Sequence, residues 1–470
     1  MSGSGSLPRL VVAGLSGDSG KTLVSLGLVF LAQEAGGPVR AFKKGPDYID
    51  AAWLSWASGA PARNLDTWLM GFPTAVASFA RHALPGGLNI VEGNRGLYDG
   101  VDPEGTHSTA ELAKALGSPV ILVVNATKVT RTAAACVLGC QRLDPEVRIA
   151  GVVLNQVAGS RHERVLREAV ESVCGLPILG VLPRAQSEAL LPGRHLGLVT
   201  PQEHPRIEEL TQNVLGLVEG RLDFERIRAV ALRAPALGQA EACPTALYGQ
   251  GLKVGYLRDS AFTFYYPENL EALEGAGAEL APLPALSGSA LPGDLDALYI
   301  GGGFPETHGA ALSARTIFLE SLKQCAQSGL PIYAECGGLM LLSRAIRWEG
   351  RRYPMAGVLP FEVEVCPSPQ GHGYTLLSVD QANPFFPVGL TLRGHEFHYS
   401  RVASGGEMPV TACAVQRGAG CYPGRDGVVA GSVWASYTHL HVLATPEWAP
   451  GVLGAAWRFR GQKHAPGRGV

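Results

Sequence analysis

The sequence has little of what marks disulfide-bonded, membrane-spanning or polyanion-binding proteins. Its 470 residues include only nine cysteines, and none of them forms a Cys-x-x-Cys pair. No segment approaches the roughly 20 unbroken apolar residues of a membrane span, and the N-terminus lacks the order of a secretory signal. The net charge is -2, with no long run of one sign. We therefore expect a cytoplasmic protein that binds neither nucleic acid nor membranes.

The first half of the chain alternates short apolar runs with longer amphipathic ones, up to about Leu222. This order is typical of an α/β domain in which helices cover both faces of a parallel sheet. Two of the amphipathic stretches, Thr22 to Ala35 and Arg161 to Val173, have helical spacing. The predicted strands are Arg9 to Ala13, Val39 to Lys43, Leu88 to Val91, Val120 to Val124, Ile149 to Leu154 and Ile178 to Leu182.

A second alternation begins at Leu252, after a stretch without clear periodicity. Strands are predicted at Lys253 to Tyr256, Ala297 to Ile300 and Ile332 to Ala334, and closer spacing after Arg351 indicates a mixed sheet. A chain of this length is expected to form two or three domains. We predict a nucleotide-binding domain over residues 1–222, a linker with at most one short helix over 223–250, a second α/β domain over 251–455 and a frayed basic tail over 456–470.

A glycine-rich segment, residues 11–22, follows the first predicted strand and opens a helix. This is the context of a phosphate-binding P-loop, in which Gly17 and Gly20 let backbone N–H groups surround phosphate oxygens. Lys21 would reach the terminal phosphates, and the Thr22 hydroxyl could bind Mg²⁺. The pattern predicts an ATP site, with a simple strand-to-helix turn as the weaker alternative.

Carboxylates follow two further strands of the predicted sheet. Asp47 comes after the second strand and Glu92 after the third, at the sheet edge that also carries the P-loop. Together with Thr22 they form a predicted Mg²⁺ site, because Mg²⁺ prefers oxygen ligands. Asn155, at the end of another strand, is a candidate for reading the nucleotide base.

In the second half, Cys336 lies between an apolar strand and a glycine-rich helix start. A sharp turn there would expose a nucleophile, and the helix N-terminus would favour its thiolate. Gly302, Gly303 and Gly337 could supply the N–H groups of an oxyanion hole. His439 is the best candidate for the base that a thiol needs at neutral pH. The alternative for Cys336 is a buried structural thiol.

Together these segments resemble the cobyrinate a,c-diamide synthase family of corrinoid biosynthesis, over nearly the whole chain. The resemblance implies a domain like dethiobiotin synthetase followed by a domain like the class I glutamine amidotransferases. The segments that carry it are the P-loop and residues 42–50, 64–66, 92–100, 335–338, 394–400 and 437–441.

The family's chemistry is an ATP- and glutamine-dependent carbon–nitrogen ligation. The resemblance implies that Cys336 attacks glutamine with help from His439, and that ammonia then displaces phosphate from an activated carboxylate. It places Ile49 and Asp99 near a corrinoid substrate. Lys43 is a candidate partner for the carboxylates of that substrate, with an ordinary surface cation as the alternative. A homodimer is a candidate assembly. Full amidotransferase triads carry His-x-Glu, which is absent here, so a Cys–His dyad is expected and the group that orients the histidine stays open.

Other functions remain compatible with the sequence. The macrocycle could be cobyrinate, hydrogenobyrinate or nickel sirohydrochlorin, and cobyric acid synthase is a related amidase. A different class of protein is a P-loop switch of the partitioning-ATPase type with a non-catalytic C-terminal binding domain. An intact cysteine turn and a late histidine argue against this last function.

Overall fold

The computed structural model describes residues 6–184, 190, 198–204, 206–237, 247–403 and 409–463. The chain divides into two compact units, Met1–Ala242 and Cys243–Val470. None of the helices in the described ranges has the length and apolar content needed to cross a membrane.

The first unit is built on a seven-stranded sheet in which all strands are parallel. Its strands are β1 Arg9–Gly14, β2 Val39–Lys44, β3 Arg63–Leu65, β4 Leu88–Gly96, β5 Val120–Asn125, β6 Ile149–Val157 and β7 Ile178–Pro183. Its helices are α1 Lys21–Glu34, α2 Tyr48–Ser58, α3 Thr67–His82, α4 Thr109–Ala115, α5 Arg131–Leu143, α6 Ser160–Cys174, α7 Ile207–Val218 and α8 Phe224–Leu232. The strand order is β3-β2-β4-β1-β5-β6-β7.

The six predicted strands of this unit are confirmed, and each runs one to five residues further than predicted. Their apolar runs are continuous because helices bury both faces of a parallel sheet. Strand β3 was missed because it has only three residues, two of them polar. The sheet brings the carboxyl ends of β1, β2, β4 and β6 to one edge, where ligands of open parallel sheets bind.

The second unit contains a mixed ten-stranded sheet and a separate four-stranded sheet. The large sheet has the order β21-β16-β15-β18-β19-β20-β11-β10-β8-β9, and the small one β13-β12-β14-β17. The strands are β8 Lys253–Leu257, β9 Glu279–Leu283, β10 Ala297–Ile300, β11 Ile332–Glu335, β12 Ala345–Trp348, β13 Arg351–Pro354, β14 Val363–Val365, β15 Gly371–Val379, β16 Thr391–His398, β17 Ser400–Val402, β18 Thr411–Arg417, β19 Arg425–Ala430, β20 Val433–Ser436 and β21 His439–Leu440. The helices are α9 Pro267–Gly275, α10 Gly309–Ser313, α11 Thr316–Gln327, α12 Gly337–Leu342 and α13 Trp448–Lys463.

Strands β8 to β11 and β20 are parallel, and β15, β16, β18, β19 and β21 extend this sheet with antiparallel pairs. The predicted mixed sheet after Arg351 is therefore confirmed. The parallel part carries β11, whose carboxyl end leads directly into the predicted cysteine turn.

The predicted frayed tail is wrong for residues 456–463, which belong to helix α13. Phe459 is buried in this helix, and the Trp457 indole donates to the carbonyl oxygen of Tyr248 at 2.7 Å. Two basic residues of this helix, Arg458 and Lys463, are exposed, as expected for the solvent side of a packed helix. Residues 464–470 lie outside the described ranges, as do residues 238–246 of the predicted linker. The described part of the linker contains helix α8, which is capped by Asp223.

Helices α1 and α7 pack closely at Gly27, where a Cβ atom would lie 2.7 Å from Cγ1 of Val218. We expect Gly27→Ala to lower the free energy of unfolding by about 1–3 kcal/mol, because the helices must separate to admit the methyl group. Gly216→Ala, on α7, is the matched control, since nothing lies within 4 Å of its added Cβ. It should raise stability by up to about 1 kcal/mol. Urea unfolding followed by circular dichroism measures the free energy of unfolding of both variants. Equal changes in this free energy would contradict the close packing at Gly27.

Candidate active site

The P-loop connects β1 to α1 through a single 3-10 turn, Gly17–Ser19. Gly20 has a φ of 93°, in the left-handed region that favours glycine. A Cβ atom at Gly20 would lie 2.1 Å from Nδ2 of Asn155. The backbone conformation and this close approach both require glycine. With glycine at this position the loop can curve so that its N–H groups face an anion at the start of α1.

Lys21 folds back onto this loop. Its Nζ donates to the carbonyl oxygens of Ser16 at 3.0 Å and Gly17 at 3.1 Å. Burial, and then the nearby charge of Lys43, lower the pKa of Lys21. The ammonium group thus lies beside the loop, where phosphate oxygens could take over its bonds to the carbonyls.

Behind the P-loop, a network centred on the buried Lys43 and Glu92 side chains also joins the partly exposed Thr22 and Asp50. The Thr22 hydroxyl donates to Oε1 of Glu92 at 2.8 Å. Nζ of Lys43 donates to the same oxygen at 2.9 Å, to Oδ2 of Asp50 at 2.6 Å and to the carbonyl oxygen of Gly93 at 3.1 Å. Thr22 and Glu92, predicted together, are in direct contact. Lys43 uses all three of its N–H donors here, so the structure argues against its predicted contact with substrate.

The charges in this network stabilise one another. Burial by itself would lower the pKa of Lys43, but Asp50 and Glu92 outweigh it and raise that pKa above its ordinary value. Burial raises the pKa of Glu92, and Lys43 opposes this rise. Oε2 of Glu92 is buried and has no hydrogen-bond partner among the described residues. A buried carboxylate oxygen without a donor is suited to a cation.

Asp47 caps helix α2. Its Oδ1 accepts from the N–H groups of Ile49 at 2.8 Å and Asp50 at 3.0 Å. Burial, followed by the nearby charge of Asp50, raises the pKa of Asp47 to about 7. The predicted metal ligand therefore also has a structural role at the helix start. Ile49, predicted to line the substrate region, is buried in the first turn of this helix.

The described residues contain no group of three or more His, Cys, Asp or Glu side chains that could hold a metal ion. Mg²⁺ bound at a nucleotide site typically takes only one or two carboxylates and completes its shell with phosphate oxygens and water. The Thr22 and Glu92 oxygens fit that kind of incomplete site.

Two further predicted residues have contacts within the protein. Nδ2 of Asn155 donates to the carbonyl oxygen of Ser19 at 3.0 Å, and its Oδ1 accepts from its neighbour's N–H group. Asn155 therefore stabilises the P-loop through its backbone. This role differs from the predicted recognition of the nucleotide base. Asp99 is exposed and accepts from the N–H of Gly96 at 2.7 Å, so it shapes the turn after β4.

In the second unit, Cys336 occupies a strained turn between β11 and α12. Its φ of 47° is unusual for a residue with a Cβ atom. Its N–H donates to the carbonyl oxygen of Ser436 at 2.7 Å, which fixes the turn to the end of β20. Burial, followed by the charge of Glu306, raises the pKa of the Cys336 thiol. The expected effect of the helix N-terminus is therefore outweighed, and the thiol needs a base.

The predicted oxyanion glycines lie against both the cysteine turn and His439. A Cβ atom at Gly337 would be 3.0 Å from the backbone nitrogen of Gly303. A Cβ atom at Gly302 would be 2.6 Å from Cε1 of His439. The structure thus brings the three glycines, the turn that carries Cys336 and His439 together around one point.

The group beside Nδ1 of His439 is Glu335, the residue immediately before the nucleophile. Its Oε2 lies 3.3 Å from Nδ1, and both side chains are buried. This glutamate lies in the segment 335–338, but the sequence pattern predicts an orienting acid after the histidine and gives no role to an acid before the cysteine. An acidic side chain at the end of an otherwise apolar buried strand was the available signal.

Comparison with known proteins assigns a family to each unit. Residues 10–199 match the CobQ/CobB/MinD/ParA nucleotide binding domain, and residues 253–447 match the CobB/CobQ-like glutamine amidotransferase domain. The second match agrees with the cysteine turn, and the first agrees with the P-loop.

Similar proteins extend over almost the whole chain. The cobyrinate a,c-diamide synthase of Magnetococcus marinus is 43% identical over 98% of this chain and 99% of its own length. Those of Dehalococcoides mccartyi and Syntrophotalea carbinolica are 39% and 40% identical, each over 94% of this chain and over 96% and 97% of their own lengths. With this coverage and the two sites described above, the chain belongs to the cobyrinate a,c-diamide synthase family.

Proposed function

We propose that the protein amidates the a and c acetate carboxylates of cobyrinate or hydrogenobyrinate, with ATP and glutamine as co-substrates. The observation that supports this proposal is the presence of two candidate sites of different chemistry in one chain. One has a P-loop lysine next to a part-buried Thr22–Glu92 pair, and the other has a strained cysteine turn against a buried histidine. A carboxylate-activating site and an ammonia-releasing site are the two parts that such a ligation needs.

The glutaminase half begins with transfer of the Cys336 proton to His439. The resulting thiolate attacks the carboxamide carbon of glutamine, and the N–H groups of the glycine loop stabilise the oxyanion. His439 then gives the proton to the leaving nitrogen, so that ammonia departs and a thioester forms. Water hydrolyses the thioester, which releases glutamate and restores the thiol.

The other half makes the substrate carboxylate reactive. A carboxylate resists ammonia because its carbon is a poor electrophile and oxide is a poor leaving group. Transfer of the γ-phosphoryl group of ATP to the carboxylate gives an acyl phosphate, from which ammonia displaces phosphate to leave the amide. Lys21 and the P-loop N–H groups stabilise the negative charge that is spread over the phosphoryl oxygens during transfer.

We assign Thr22 and Glu92 as the residues that would hold Mg²⁺, with Asp47 as a further candidate. When bound, Mg²⁺ would neutralise charge on the β- and γ-phosphates. Lys43 acts here through Glu92, because its ammonium fixes the position of that carboxylate at 2.9 Å. The protein thus fixes the Glu92 carboxylate in position before Mg²⁺ binds.

The polycarboxylate macrocycle needs cationic groups that can reach it. Lys43 is almost fully buried and bonded to Glu92 and Asp50, whereas Arg95 is exposed at the end of β4. We propose Arg95 as a contact for a substrate carboxylate, since guanidinium groups bind carboxylates in a bidentate manner. A cytoplasmic location and a homodimer remain predictions.

Replacement of Cys336 separates the two half-reactions. We expect Cys336→Ala to reduce glutamine-dependent synthesis by at least about 1,000-fold, because the nucleophile is lost. Synthesis from added ammonium chloride should stay within about twofold of wild type. Product formation with each nitrogen donor measures this. Cys325→Ala, a half-buried cysteine on α11, is the control and should keep both activities; loss of ammonia-dependent synthesis in Cys336→Ala alone would contradict separate sites.

Replacement of Lys21 tests the activating site. Lys21→Ala should abolish synthesis from both glutamine and ammonia, because charge on the transferred phosphoryl group loses its main protein cation. Basal release of glutamate from glutamine should persist. Lys114→Ala, which removes a partly exposed lysine paired with Asp144, should leave both activities unchanged. Ammonia-dependent synthesis at the wild-type rate in Lys21→Ala would exclude its proposed role.

Mass spectrometry of the products identifies the macrocycle. The enzyme is offered cobyrinate, hydrogenobyrinate and nickel sirohydrochlorin in separate reactions with ATP, Mg²⁺ and glutamine. We expect two successive acid-to-amide mass steps on cobyrinate or hydrogenobyrinate. Two steps on nickel sirohydrochlorin alone would replace the proposed substrate, and four steps would indicate the cobyric acid synthase reaction.

A further inference from the structure

The Glu335 side chain is fully buried, one residue before the nucleophile. Its Oε1 accepts from the Tyr333 hydroxyl at 3.1 Å and from the N–H of Leu440 at 3.1 Å. Its Oε2 accepts from the Tyr299 hydroxyl at 3.2 Å and lies 3.3 Å from Nδ1 of His439. Four polar groups therefore converge on one carboxyl group, two on each oxygen.

This arrangement determines the proton position on His439. A carboxylate offers only acceptor sites, so each group that bonds to it must be a donor. Nδ1 of His439 therefore carries the proton, and Nε2 presents a lone pair. Since burial raises the pKa of the Cys336 thiol, the resting thiol requires this lone pair as its base.

The same carboxylate stabilises the product of that proton transfer. When His439 accepts the thiol proton it becomes an imidazolium, a buried cation that would be costly without a partner. Glu335 supplies the counter-charge, and two tyrosines and a backbone N–H hold its carboxylate in place. Burial, followed by the charge of Glu335, raises the pKa of both Tyr299 and Tyr333 well above the ordinary value, so these hydroxyls stay donors.

The backbone makes the arrangement rigid. Strands β11 and β20 pair in parallel, with Glu335 opposite Ser436. The N–H of Cys336 donates to the Ser436 carbonyl at 2.7 Å, and that of Leu440 donates to Glu335 itself. These bonds hold both ends of the short 436–440 segment against the end of β11, and this places His439 next to Glu335.

We propose that Glu335 positions His439, completing a Cys336–His439–Glu335 triad whose acid precedes the nucleophile in the chain. Glu335 acts through the histidine and does not touch glutamine. It takes the place of the glutamate that follows the histidine in His-x-Glu amidotransferases. The proposal rests on the glutaminase half of the proposed function and adds a third residue to it.

Other titratable groups face His439. The His395 ring stacks on it with centroids 5.1 Å apart, and burial, followed by the charge of His439, lowers the pKa of His395 well below its ordinary value. His395 is therefore neutral at physiological pH. Tyr299 and Tyr333 bond to the carboxylate of Glu335, and Cys336 is its neighbour in sequence. Glu335 is an anion in direct contact with His439, 3.3 Å from its Nδ1.

The test is glutamate release from glutamine, measured without any macrocycle, for wild type and Glu335→Gln. The isosteric amide should lower kcat by about 100- to 10,000-fold, since it can hold the wrong tautomer and carries no charge. The KM for glutamine should change by less than about threefold, because the side chain is buried behind the histidine. The Glu335 carboxylate stabilises the imidazolium form, so its loss should move the acid limb of the kcat profile to lower pH.

Glu268→Gln is the matched control. Oε2 of Glu268 lies 3.5 Å from Nε2 of His441, in a second buried Glu–His pair of the same unit. Its replacement should leave kcat within about fivefold of wild type, with an unchanged acid limb. An equal loss in both variants would show a general effect of removing buried carboxylates and would overturn the proposal.

If circular dichroism shows that Glu335→Gln does not fold, Tyr333→Phe and Glu335→Asp test the proposal instead. Tyr333→Phe removes one donor and keeps the charge, so kcat should fall by about threefold to tenfold. Glu335→Asp keeps the charge at a greater distance and should retain the wild-type acid limb at reduced kcat. Wild-type kcat in both, or a change in KM alone, would overturn the positioning role. Absence of glutamate release by the wild-type enzyme would instead refute the proposed function.

Discussion

The buried ion pair between Lys43 and Glu92 is the interaction on which the nucleotide site depends. Its two charges are 2.9 Å apart, on adjacent parallel strands, and both side chains are almost fully shielded from solvent. Removing one partner from such a pair typically costs about 3–5 kcal/mol, because the other charge is left buried and uncompensated. The same oxygen of Glu92 also bonds to Thr22, so the pair connects the core of the sheet to the first turn after the P-loop.

The second unit manages a buried carboxylate in a different way. Within the described ranges, no lysine or arginine is in hydrogen-bond contact with Glu335, which is surrounded by hydroxyl groups, a backbone N–H and an imidazole. Neutral donors stabilise a carboxylate while leaving its charge available to a neighbour that becomes positive. In the first unit Glu92 is neutralised by a permanent cation, Lys43. In the second unit Glu335 is proposed to stabilise a cation, the His439 imidazolium, that forms only during the reaction.

The sequence was informative where local chemistry decides the structure. The P-loop, the cysteine turn and the parallel strands each have signatures within a dozen residues, and the structure bears out their arrangement. Prediction was poorer where a side chain's role depends on distant neighbours. Lys43 looked like a substrate cation until Asp50 and Glu92 were seen to occupy its donors. Asn155 looked like a base reader, but Gly20 and Ser19 lie against its amide.

The adjacency of Glu335 and Cys336 in the chain has a geometric consequence. Two of the three triad groups share one stretch of backbone, at the end of β11, so covalent bonds limit how far they can separate. The histidine alone belongs to another segment, the two-residue strand β21. The position of that short strand therefore sets the distance from the base to both the nucleophile and the acid, and a displacement of the strand would separate the base from both at once.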